Sequence, residues 1–293
     1  MRTLKLIPFA AILAIATTAL AEAPQLTAEQ KAFQAQLNAL PWENAGAPAI
    51  TDRASIRLGP QIRALDETGT GQLLKLTGNL PESGSYTVAA KSGNWFAIYS
   101  FQDIGYVKDD EKIDADALLK TLQENQQEAN GTRSSQGLEP LTVVGWAVPP
   151  HYDPTTHNLE YGVILSAPSG DNINYHLRML GRRGVMDAAL ITTAQYLQED
   201  LAEFRSANKG FAFKADESYA AFKDGDKVSE YGLAALITGG AAAAAVKGGL
   251  LKGLLAALAA GWKLIAVGIA GAWAVFRRFF SKGEDLGPPP SGA

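Results

Sequence analysis

Apolar and polar positions follow three different patterns along this chain. Between Ala49 and Thr193, apolar residues come in short runs broken by Gly, Pro, Asn, Asp and Ser. Side chains that alternate along an extended segment sort onto the two faces of a sheet. The runs SIRL (55–58), QLLKLTG (72–78), SYTVAA (85–90) and NWFAIYSF (94–101) therefore predict strands. LTVVGWAVP (141–149), LEYGVILSAP (159–168), INYHLRMLG (173–181) and VMDAALITT (185–193) predict four consecutive ones. Turn signals at 169–172 and 181–184 separate the last three of these strands.

A helical pattern flanks these runs. QLTAEQKAFQAQLNAL (25–40) has Thr27 with Gln30 three residues on, the spacing of a capping box. Helices are also predicted over 114–127 and 194–206, with GFAFK (210–214) after the second. Antiparallel strands with helices to one side define an α+β domain.

The third pattern lies at the two ends. Residues 1–23 carry Arg2 and Lys5, then an apolar run from Leu6 to Leu20, then small-x-small triplets at 19–21 and 21–23. This is the layout of a cleaved signal peptide. At the other end, 232–280 is rich in Gly and Ala, and 253–276 is a 24-residue run interrupted only by Lys263. Such a length suits one membrane span. Trp262 and Trp273 lie within the run, and Arg277 and Arg278 follow it at once, marking the cytoplasmic side.

A central Lys263 opposes insertion by about 2.5–3.5 kcal/mol on insertion scales. A hairpin with 232–251 as a first helix is the alternative, but it would leave Arg277 and Arg278 outside. The glycines at 239, 240, 248, 249 and 253 would allow self-association. The chain thus divides into a signal peptide (1–23), an exported domain (24–231), a membrane segment (232–280) and a short cytoplasmic tail (281–293).

Charge and composition narrow the chemistry. The 293 residues contain no cysteine, which excludes disulfides, thiolate metal sites and cysteine nucleophiles. Between Glu22 and Tyr231 there are 18 Lys and Arg against 28 Asp and Glu, a net charge of −10. Such a domain is repelled by nucleic acid and by anionic lipid. TGTGQ (68–72) lacks the glycine spacing of a dinucleotide fingerprint and reads as loop or hairpin.

Candidate chemistry centres on PPHYDPTTHNLEY (149–161), which holds two of the three histidines. Its Pro, Asp, Thr and Asn content reads first as a loop between strands. A metal or an acid–base site would draw on His151, Asp153, His157 and Glu160, helped by Asp109 or Asp110 from the acidic stretch 109–116. Those acidic residues fit the start of the following helix better than a calcium loop. Arg182 and Arg183, between Gly181 and Gly184, read as exposed at a hairpin tip, with phosphate contact as the alternative. His176 reads as a sheet-face residue.

GYVKDDEKIDADALL (105–119), GWAVPPHYDPTTHNLEY (145–161), INYHLRMLGRRGV (173–185) and AFKDGDKVSEYGLAALITGG (221–240) resemble, in that order, the bacterial membrane-anchored proteins called domain of unknown function 2167. The resemblance implies a signal peptide, an exported domain and a C-terminal membrane segment, and no catalytic residues. The strand–helix–strand ending also resembles small antiparallel domains of the photosystem P-protein type. The expected role is a non-enzymatic, membrane-anchored envelope protein that binds or scaffolds, located at the bacterial inner membrane with its main domain in the periplasm. Its expected contacts are the bilayer, through the C-terminal helix, and an envelope protein. No nucleic acid and no cofactor is expected. The alternatives are a metal-dependent envelope hydrolase using the 151–160 loop, or a phospholipid or small-ligand binder using Arg182 and Arg183.

Overall fold

The computed structural model of the chain describes residues 28–77, 81–135, 139–168 and 170–239. The expected signal peptide, the 253–276 span with its Trp262, Lys263 and Trp273, and the following Arg277 and Arg278 lie outside them. No helix among the described residues is long and apolar enough to cross a membrane.

The elements run α1 (Ala28–Asn38), β1 (Ala49–Ile50), β2 (Ala54–Ile56), β3 (Ile62–Leu65), α2 (Glu67–Leu76), β4 (Ser85–Ala90), β5 (Phe96–Gln102) and α3 (Ala115–Ser135). Then follow β6 (Thr142–Asp153), β7 (Asn158–Ala167), β8 (Gly170–Leu180), β9 (Val185–Thr192), α4 (Leu197–Asn208), β10 (Phe211–Phe213) and α5 (Leu233–Thr238). Seven strands form one antiparallel sheet in the order β3-β4-β5-β9-β8-β7-β6, and β1-β2-β10 form a small second sheet. The expected α+β class holds.

Burial explains the sheet's middle. All of β9 and nine consecutive residues of β8 are buried, so these two strands are covered on both faces. The larger core gathers Val88, Trp95, Tyr99, Tyr175, Met186 and Phe204. Phe204 of α4 meets the edges of Trp95 and Tyr175 at 5.7 and 5.8 Å. A second cluster joins Leu118 and Leu122 of α3 to Leu159 and Val163 of β7 and to Leu233 and Leu236 of α5.

Two expectations give way. Residues 72–76 are the second half of helix α2, not a strand, and TGTGQ forms its first turns rather than a loop. Asp66 caps this helix by accepting from the Gly69 amide at 2.7 Å. Gly69 belongs there for space, since a Cβ would press to 3.0 Å on both Leu65 and Pro41. Pro149 and Pro150 also lie inside β6 rather than in a loop, so only 154–157 form the turn. A proline pair is tolerated because β6 is an edge strand whose pairing with β7 is irregular there. The helix predicted over 114–127 starts as expected, with Asp114 accepting from Ala117 N at 3.1 Å, but runs on to Ser135.

The turn between β8 and β9 is clamped from outside. Arg182 is buried and forms a two-pronged pair with Asp226, at 2.6 and 2.7 Å. Glu217 is gripped by Arg53 at 3.0 Å and by Arg183 at 3.3 Å. The expectation of two exposed arginines is therefore corrected: Arg182 is enclosed by residues 216, 217 and 226, and only Arg183 remains exposed.

The Asp226 carboxyl is pulled down to about 2, first by the Arg182 hydrogen bonds. An unfolded chain holds such a group near ~3.9. The stabilisation is thus fully present above about pH 4 and is lost as pH falls through about 2. In denaturant titrations of the full chain over that window, Asp226→Asn will flatten the acid loss of stability relative to the parent. An unchanged slope would remove Asp226 from the account.

Candidate functional site

The β6–β7 hairpin positions a partly exposed cluster of titratable groups singled out from the sequence. Asp153 ends β6 and accepts from Thr155 N and Thr156 Oγ1, both at 2.8 Å, which closes the turn. His157 then sits in the left-handed region, at φ 54°. Histidine visits that region more readily than bulky residues do, though less freely than glycine. This backbone turns the His157 ring toward Tyr152 and away from the side of the hairpin that carries His151.

A second strand of chain delivers the acid. Gly105, at φ 92°, lies so close to Lys227 that a Cβ would meet its carbonyl at 2.8 Å. That close approach lets Tyr106 bond both ways with the segment 227–229. It places Asp109 beside the hairpin, where Tyr152 donates to Asp109 Oδ2 at 2.7 Å. His157 Nδ1 lies 3.1 Å from the Tyr152 oxygen and 3.6 Å from Asp109 Oδ2. About a third of each of these two side chains is exposed, 32% and 33%, so the group is open at the rim.

Hydrogen accounting sets the protons. Partial burial pushes the Asp109 carboxyl up, but hydrogen bonding, led by the Tyr152 hydroxyl, outweighs it and holds the group below the usual carboxylate range. Burial, then the bond to Asp109, push the Tyr152 phenol far up. Tyr152 therefore keeps its single proton and gives it to Asp109. Nδ1 of His157 must donate to the phenol oxygen. A ring column backs the group: His157 lies 4.2 Å from Tyr219, Tyr219 4.4 Å from Tyr106, and Tyr106 4.2 Å from Phe222. Tyr219 is itself tied down, donating to Val107 O at 2.9 Å.

The other candidates are dispersed. His151 is exposed and pairs in register with Glu160. Glu160 is bound by Arg205 at 2.9 Å and accepts from Tyr175. Asp110 is exposed. Asp153 is used by its own turn. Arg182 and Arg183 are engaged with Asp226 and Glu217. Among the described residues, no three His, Asp or Glu side chains are grouped to hold a metal ion.

Sequence reasoning missed two things. The partners of Asp109 and His157 are tyrosines, and Tyr219 comes from far along the chain. His176 is also more than a sheet-face residue. It is buried, with Nδ1 3.0 Å from buried Asp187. The available signal was the polar spacing of Asn172, Asn174, His176 and Arg178 on a strand otherwise apolar enough to be buried.

Fold and site together define an α+β protein with a seven-stranded antiparallel sheet, flanking helices and a half-open Asp–Tyr–His rim. The chain belongs to the family described as protein of unknown function (DUF2167), whose pattern matches residues 43–272. No curated protein matches the chain. Among solved structures, it is similar to the solution structure of cyanobacterial PsbP (CyanoP) from Synechocystis sp. PCC 6803. The identity is 9%, covering 55% of this chain and 86% of that one, at a TM-score of 0.33. A likeness at that score carries no argument about fold or function.

The rim separates the two hairpin histidines. His151→Ala will leave the unfolding free energy within about 0.5 kcal/mol, as for an ordinary surface change. His157→Ala will cost about 1 kcal/mol, because alanine occupies the left-handed region poorly. His157→Gly will recover the backbone part of that loss. Equal losses in His151→Ala and His157→Ala, by denaturant titration of the full chain, would contradict this assignment.

Proposed function

We propose that this protein is held at the bacterial inner membrane by its C-terminal apolar run, with the acidic domain in the periplasm, and that it binds or scaffolds an envelope partner. The observation that carries this reading is the 253–276 run followed at once by Arg277 and Arg278, behind a domain of net charge −10. The acidic domain gains little from anionic lipid by itself, so the anchor supplies the membrane contact. The family match supports treating domain and apolar segment as one unit, because it extends to residue 272.

The contact surface on this reading is the Asp109–Tyr152–His157 rim. It offers an ionised carboxylate and a partly exposed imidazole, backed by a ring column. The hydrolase and phosphate-binding alternatives have less to stand on. His151, Asp153 and Glu160 point to separate tasks, and Arg182 and Arg183 are already paired with carboxylates.

Reporter fusions test the arrangement. A reporter placed after Ala293 will be active in the cytoplasm, and one inserted at Gly210 will be active outside. An exported C-terminal reporter would replace the single span by a hairpin. In cross-linking from intact envelopes, Tyr152→Ala and Asp109→Asn will weaken capture of a partner that His151→Ala retains. Equal capture by all three would remove the rim from the proposal.

A further inference from the structure

Strand β8 carries a polar side chain at every second position: Asn172, Asn174, His176 and Arg178, all buried. The residues between them, Ile173, Tyr175, Leu177 and Met179, fill the larger core. The polar set therefore lines the other face of the strand. Directly paired residues share a face, so that face can be read across the sheet. His176 stands between Tyr161 and Ala189, Asn174 between Val163 and Ile191, and Arg178 is opposite Asp187. The row through His176 continues from Ala189 to Ile98 and Thr87. Helix α2 covers one end of this row, with Thr70 bonded to Thr87 at 2.9 Å. Helix α3 covers the other, with Ala115 O receiving Trp146, whose ring meets Tyr161 edge-on at 6.2 Å. His176 lies between the two covers.

The ring of His176 is fixed by two partners, Asp187 and Tyr161. Its Nδ1 lies 3.0 and 3.2 Å from the two oxygens of Asp187, and Tyr161 is stacked on it at 5.1 Å. Arg178 holds Asp187 at 3.7 Å and donates to the Tyr161 hydroxyl at 3.3 Å. Burial pushes the Asp187 carboxyl up, but Arg178 and His176 outweigh it and keep the group ionised. A nitrogen facing a carboxylate carries the hydrogen, so in the neutral ring Nε2 is bare. Among the described residues Nε2 has no partner, and it is not one of their sealed, unpartnered atoms. Two positions away, the Asn174 carboxamide has a buried Oδ1 with no partner, and Asn172 repeats this. Whichever way the two amides are assigned, each leaves hydrogen-bonding capacity unused on the strand face that carries the bare nitrogen. Native interiors rarely leave such groups unmatched without a reason.

We propose that His176, oriented by Asp187, is a general base for a small uncharged ligand bearing a weakly acidic hydroxyl group, bound along Asn172 and Asn174. The ligand class follows from the charges. Arg178 and Asp187 cancel, and the flanks are Val163, Leu165, Ile191, Ala189 and Ile98, so an ionic ligand would lose its hydration without a counter-charge. The hydroxyl O–H bond breaks, its proton moves to Nε2, and the electron pair stays on the oxygen. The amide of Asn174, two positions along the same face, donates to that oxygen, and Asp187 offsets the imidazolium. Asp187 is a positioning residue. This chemistry is independent of the rim and of the membrane anchor.

The chain has three histidines, which makes the test direct. In the full chain in detergent micelles, nitrogen-15 spectra of the neutral imidazoles will show His176 protonated at Nδ1 and bare at Nε2. Titration with 4-nitrophenol at fixed pH will shift the His176 Nε2 signal saturably and raise phenolate absorbance in parallel. His176→Gln will abolish the absorbance change, and His151→Ala will leave it intact. An Nε2-protonated tautomer would overturn the proposal, as would a silent His176 signal or a phenolate response that survives His176→Gln. The tautomer reading uses the parent protein, so it stands whether or not a variant folds.

Discussion

The ion pair between Arg178 and Asp187 sets a condition that the rest of the sheet has to meet. Both residues are buried on strands covered on both faces. Removing one partner of such a pair leaves a lone buried charge, which costs on the order of 3–5 kcal/mol. A slip of one residue between β8 and β9 would do the same by sending Asp187 to the opposite face. The pair therefore ties the central register to electrostatics as well as to packing. The ends of the hairpin reinforce that register. A Cβ at Gly184 would collide with the Gln102 carbonyl, and the adjoining turn is locked to Asp226 through Arg182.

Much of this sheet is legible in the sequence because its four longest strands follow one another along the chain. From β6 to β9, apolar runs and turn residues alternate at near-constant spacing, and each run became a strand. The first half of the domain was harder. Strand β3 has four residues, too few for a period to register. Helix α2 was misread because Gly69, Thr70 and Gly71 are poor helix formers and the following leucines fit either period. Its capping residue Asp66 was the decisive signal, and local propensity yielded to packing against Leu65 and Pro41. Pro149 and Pro150 misled in the opposite sense, since only the tertiary fact that β6 is an edge makes them acceptable in a strand.

For the sites, the sequence supplied charged residues but not their neighbours. Asp109 and His157 were both singled out, yet the group joining them is the Tyr152 phenol. A tyrosine hydroxyl can join two such groups by donating its one hydrogen to the carboxylate and accepting from the imidazole. Glu160 illustrates the reverse: it stands three residues from His157 in sequence but bonds to Arg205 and Tyr175 on the other side of the hairpin. The pair His176 and Asp187 was invisible for a related reason. Its two members are eleven residues apart on neighbouring strands, diagonal to each other, and no spacing rule relates them before the register is known.

The two histidine sites differ in how completely the protein satisfies them. At the rim, the Tyr152 proton is committed to Asp109 and the Tyr219 proton to Val107 O, while open groups face water, which can serve as their partner at little cost. Such a site can be retained for binding or for nothing more than closing the hairpin. On β8, the partnerless oxygens of Asn172 and Asn174 are sealed from solvent, where water cannot compensate them. Valine or isoleucine would match the apolar residues facing them across the strands and would leave nothing unsatisfied. Stability alone thus argues against two asparagines at these positions. The polar stripe is the feature of this fold that packing does not account for, and it includes the buried His176, whose Nε2 has no partner among the described residues.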